Sequence, residues 1–119
     1  MDYQNWKELD WSTEENWSVF EKEAWTDAEN QLSAQGLKLL KTLPGRFSVG
    51  IVASTEDEQR FIHITVKDVR DENWFDNVRL RRMSSPRDWK GNEFHYCSWN
   101  EIGKKALKYL APEYDDEAL

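Results

Sequence analysis

The sequence predicts an α+β domain: an N-terminal helix, a short helical segment, a four-stranded antiparallel meander and a C-terminal helix, with both long helices on one face of the sheet. Three observations carry this prediction. Apolar residues recur at helical spacing near both ends of the chain, the pattern changes to alternation between them, and the alternating runs are separated by short polar loops of the kind that join antiparallel neighbours.

The first helix opens at Ser12-Thr13-Glu14-Glu15, where a hydroxyl precedes a carboxylate by three residues and each side chain can satisfy a backbone N–H of the other. Trp17, Phe20, Ala24, Ala28 and Leu32 then share one face, while Glu15, Glu23 and Glu29 fall outside it, and Trp25 sits at the edge of the stripe. Gly36 is a natural terminator. The short apolar run Leu37, Leu39, Leu40 and Leu43 ends at Pro44-Gly45, and residues 37–42 read as one or two helical turns, with a strand as the alternative.

From Arg46 the period is two: Phe47, Val49, Ile51 and Ala53 face one way, Ser48, Gly50, Val52 and Ser54 the other. After the polar loop 55–59, Ile62, Ile64 and Val66 alternate with Phe61, His63, Thr65 and Lys67, so a hairpin spans about residues 46–68. Val78 to Arg81 alternates again, and Phe94 to Ser98 makes a fourth strand. Ser98-Trp99-Asn100-Glu101 repeats the capping-box spacing and opens a last helix, with Trp99, Ile102, Ala106 and Leu110 on its inner face and Pro112 at its end. Residues 1–111 thus read as one α+β domain and 112–119 as an acidic, flexible tail.

Seven Trp, four Tyr and five Phe supply the area for a core that few Leu and Ile would otherwise provide. The single cysteine, Cys97, forms no internal disulfide, and no apolar run is long enough for a signal peptide or a membrane span, so the expected location is the cytoplasm. The net charge of −7 is unevenly spread: residues 1–35 hold nine acids and two bases, residues 36–111 ten acids and fourteen bases, and residues 112–119 four acids.

No nucleophile elbow, phosphate-binding glycine loop or zinc-protease motif occurs, and the adjacent acids are the kind that solvate helix starts and loops. His63, His95 and Cys97 lie on strands, and His95-Tyr96-Cys97 offers two metal ligands with no local third, so neither a metal nor a cofactor is expected and no catalytic residue is assigned. The chain reads as non-enzymatic. Its first functional reading is a protein-binding protein of inhibitor, immunity or adaptor type, engaging a basic site on its partner through the acidic first helix. Trp6, Trp11, Trp25, Trp74 and Trp89 are the candidate rings and Glu14 and Glu15 the candidate charges. The alternative is a single-stranded RNA- or DNA-binding domain using Lys67, Arg79, Arg81, Arg82, Arg87 and Trp89, since phosphates need cations and bases need a stacking plane. A small-molecule or catalytic domain with a pocket between sheet and helices comes third.

Overall fold

The computed structural model describes residues 14–91 and 93–117 of the chain. Helix α1 (Glu14–Ala34) leads into strands β1 (Lys38–Gly45), β2 (Ser48–Ser54), β3 (Phe61–Val66), β4 (Val78–Ser85), β5 (Asp88–Trp89) and β6 (His95–Cys97), followed by helices α2 (Ile102–Leu110) and α3 (Pro112–Glu117). Strands β1 to β4 form an antiparallel meander, and β4 pairs with both β5 and β6, which makes the sheet six-stranded rather than four-stranded.

Helix α1 ends where Gly36 takes a positive φ of 73° and the Leu37 N–H donates to the Leu32 carbonyl, a left-handed cap that reverses the chain onto the sheet. The helix stripe Trp17, Phe20, Ala24, Ala28 and Leu32 packs on Val49, Ile51, Ala53, Ile62, Ile64, Val66, Val78 and Leu80, together with Ile102, Ala106 and Leu110 of α2. Both long helices therefore cover one face of the sheet. They also meet backbone to backbone: a Cβ on Gly103 would lie 2.4 Å from the Gln31 carbonyl oxygen, a separation no side chain tolerates. Trp99, inside this layer, donates from Nε1 to Asp27 Oδ2 at 2.7 Å, and Gln31 Nε2 bonds both Asp27 Oδ2 and the Trp99 carbonyl. A buried indole N–H without an acceptor would cost about 1–3 kcal/mol, so these bonds decide that the ring can sit in the core.

Two expectations need correction, and two are extended. The leucine-rich run is strand β1, not a helical turn. A register shift between Leu39 and Lys41 sends Leu39 to the helix-covered face and Leu40 and Leu43 to the other, which hides the period of two. The second capping box does not form, because the Ser98 hydroxyl donates to Asp76 Oδ1 at 2.9 Å, and a 3-10 turn over Trp99–Glu101 precedes α2. Pro112 ends α2 yet begins α3, since its fixed φ suits a first helical position. The acidic segment is helical through Glu117, and Tyr114 lies against the domain: the hydroxyl is 3.1 Å from His95 Nε2, and the Arg82 guanidinium sits 4.8 Å above its ring.

Candidate functional site

The sheet has a second face, and its chemistry differs. Across the register Phe61↔Met83, His63↔Arg81 and Thr65↔Arg79, the side chains point away from the helices, because their strand neighbours Ile62, Ile64 and Leu80 point into the core. Strands β5 and β6 extend this face: Trp89 pairs with Met83 and Tyr96 with Arg79. Near β2 the face is closed by Val52, Phe61 and Met83, with Leu40 and Leu43 against them. Over β4, β5 and β6 it is exposed, and Trp89, Phe94 and Tyr96 keep 46%, 43% and 59% of their surface in solvent.

Cations and rings alternate there. The Arg81 guanidinium lies 4.3 Å from the centre of the Trp89 ring and 5.0 Å from that of Phe94, and Arg79 lies 4.9 Å from Phe94. Arg81 also donates from Nη2 to the Gly91 carbonyl, so its position is set from three sides. Its Nε is buried with no hydrogen-bond acceptor among the described residues, and the negative faces of the two rings take the place of one. His63 meets Trp89 edge to face at 5.1 Å. Burial, then the charges of Arg79 and Arg81, hold the His63 imidazole below its usual pKa. Among the described residues neither Arg79 nor Arg81 pairs with a carboxylate.

The sequence-derived candidates divide accordingly. Arg79, Arg81 and Trp89 come together on this exposed face, and exposed Lys67 stands at its far end, where it lines a cavity with Arg79, Tyr96 and the carboxylates Asp68 and Asp71. Arg87 is exposed at the β4–β5 turn, whereas Arg82 points to the helix side, toward Tyr114. Trp74 offers no binding surface: it is 7% exposed, in a 3-10 turn, with edge-to-face contacts to Phe20, Phe75 and Trp99. Trp25 is half-buried against the core, and its Nε1 has no partner among the described residues. Glu15 is exposed on α1, Glu14 is its first residue, and Trp6 and Trp11 lie outside the described residues.

Phe94 and Tyr96 were not singled out from the sequence. Their alternation with His95 and Cys97 is the signal that places them on the outer face, but the short β6 gives only one period of it.

Nucleophilic and metal chemistry find little support in this geometry. Among the described residues no cluster of three or more His, Cys, Asp or Glu is placed to hold a metal ion. His63 and His95 sit on opposite faces of the sheet with β4 between their strands, so they do not approach one another. Cys97 is buried in the core, and burial followed by the nearby Glu101 carboxylate pushes its thiol up to about 11, far from the thiolate a nucleophile requires. No described helix is long and apolar enough to cross a membrane. Comparison of the chain with family models, with curated proteins and with solved structures finds no match.

Proposed function

We propose that the chain is a non-enzymatic binding domain that takes up a single-stranded nucleic acid on the exposed face of β4, β5 and β6. The observation that carries this reading is the alternation of exposed Trp89, Phe94 and Tyr96 with Arg79 and Arg81, two guanidinium groups that no described carboxylate neutralises. Flat rings accept bases of any sequence, and the interleaved cations meet the phosphates between them. The overall charge of −7 speaks against binding a polyanion, but the acids of α1 lie across the sheet from Arg79 and Arg81. Titrating the intrinsic fluorescence with a thymidylate oligomer at two salt concentrations tests the reading. Saturable quenching that weakens with salt is expected, and Trp89→Ala removes on the order of 1–3 kcal/mol of binding free energy. Quenching that is absent, or indifferent both to salt and to Trp89→Ala, sinks it.

A second reading keeps the inhibitor, immunity or adaptor role. It is favoured by Val19, which is 50% exposed between Glu15 and Glu23 at helical spacing on α1, an apolar spot flanked by acids that suits a partner with a basic site. Recovery of a basic protein from lysate, lost in Glu15→Lys and Glu23→Lys together, would select it over the first.

A further inference from the structure

At the far end of the outer face, where β3 ends and β4 begins, a cavity of about 310 Å³ opens beside Arg79 and Tyr96. The buried Val66 and Trp74 give it an apolar wall, and Asp68 and Asp71 reach it from the β3–β4 connection. We infer that this cavity takes a guanine base of the bound strand, an inference that rests on the nucleic-acid reading of the outer face.

Position and size come first. Along β4 the outward residues run Met83, Arg81, Arg79, with Trp89 the register partner of the first and Tyr96 that of the last. Four residues of strand span about 13 Å, so the cavity continues the aromatic row at the end opposite Trp89. A strand lying along the row would bring a base to it beside Tyr96. That ring is exposed, and among the described residues no other ring and no cation stacks on it, which leaves a free plane at the rim. The volume stands at the lower limit of the roughly 300–1,000 Å³ range of small-molecule pockets, room for one base and its sugar.

The charged groups then select the base. Arg79 and Asp71 line the same cavity without forming an ion pair, so a donor fork and an acceptor border one space and leave it open between them. Asp68 is already engaged, accepting from Arg70 Nε at 3.0 Å, from Arg70 Nη2 at 2.8 Å and from the Arg70 N–H. Asp71 remains available: its Oδ1 accepts the Asn73 N–H at 2.9 Å, which fixes the carboxylate in the turn, and its Oδ2 has no bond among the described residues. A carboxylate only accepts, and guanine alone among the bases offers it two adjacent donors, N1–H and the N2 amino group. Guanine also presents O6 and N7, the acceptor pair that a guanidinium bonds bidentately. Adenine and cytosine carry one amino group beside an acceptor, and thymine one N–H between two carbonyls, so each would turn an acceptor toward the carboxylate. Arg79 lies 4.9 Å from the Phe94 ring centre, which holds the guanidinium in place before the base arrives.

The test uses the whole chain and four end-labelled hexamers: thymidylate throughout, or with one internal guanine, adenine or hypoxanthine. Fluorescence anisotropy should show the guanine hexamer binding about tenfold more tightly than the all-thymidylate one, and the adenine hexamer no more tightly. Hypoxanthine, which lacks only the N2 amino group of guanine, should fall between. Asp71→Asn keeps an acceptor for the Asn73 N–H at an exposed turn position, so the fold is retained. It should abolish the difference between guanine and hypoxanthine while all-thymidylate binding stays unchanged or tightens. Equal binding of the four hexamers overturns the guanine site and leaves the outer-face reading standing. A guanine preference untouched by Asp71→Asn, or a loss shared by the all-thymidylate hexamer, overturns the assignment to this cavity, and binding of none of the four overturns both inferences. Guanosine monophosphate, which has no neighbouring bases to stack along the row, should displace the guanine hexamer only at roughly a hundredfold higher concentration. Displacement at matching concentration would make the ligand a free nucleotide and overturn the strand assignment.

Discussion

The two faces of the same sheet put the same residue types to opposite uses. On the helix-covered face Trp99 and Trp74 are buried, meet other rings edge to face, and Trp99 has its N–H bonded to Asp27. On the outer face over β4, Trp89 is exposed and its ring lies beside an arginine. A tryptophan is thus a core residue or a recognition residue according to what its strand or turn faces, and composition alone does not distinguish the two.

The largest test of this contrast is stability. Ile64→Ala, beneath both helices and fully buried, should cost about 2–5 kcal/mol in urea denaturation, whereas Tyr96→Ala on the outer face should stay within about 0.5 kcal/mol. Comparable losses at both sites would mean that the outer face is as much a part of the folded core as the inner one. Next in size, Trp99→Phe keeps most of the ring volume but deletes the donor to Asp27. A loss of about 1–2 kcal/mol is expected, with little change in any ligand binding.

The smallest effect concerns the two histidines, one on each face. Both resist protonation in the fold: His63 through burial and then Arg79 and Arg81, His95 through burial and then Arg82 and Lys108, partly offset by Glu93. Their folded pKa values lie below the unfolded value of about 6.5, so the unfolded chain binds more protons in this window. Their contribution to stability is therefore complete above pH 6.5 and is lost as pH falls through the folded values. A proton NMR titration resolves two imidazoles readily. Bound oligonucleotide should raise the pKa of His63, next to Trp89 and the two arginines, and leave that of His95 in place. Equal movement of both would erase the distinction between the faces.

Much of this fold was legible in the sequence because its periods are clean. The stripe from Trp17 to Leu32 and the alternation from Val49 to Val66 each declare one buried face, and the structure uses those faces as the patterns require. Strand β1 was not legible, because the irregularity between Leu39 and Lys41 places consecutive leucines on opposite sides and breaks the alternation that would reveal a strand. Trp74 was misjudged for a different reason: irregular sequence around it suggests a loop, and only the packing of Phe20 and Trp99 shows that the loop is pressed into the core. The candidate site was half visible. Arg79, Arg81 and Trp89 stand out as a basic and aromatic stretch, but the contribution of Phe94 depends on a loop whose course local patterns do not specify.

Placing the acids of α1 and the arginines of β4 on opposite sides of one sheet also has a kinetic consequence. At about 10 mM salt the Debye length is roughly 30 Å, so an approaching polyanion feels the whole molecule and is repelled by its net charge of −7. Near 0.1 M the length shrinks to about 10 Å, and a polyanion close to β4 is shielded from α1 while still sensing Arg79 and Arg81. Added salt should then speed association over this range even as it hastens release, the reverse of the electrostatic acceleration at low salt seen where net charge and binding face agree in sign.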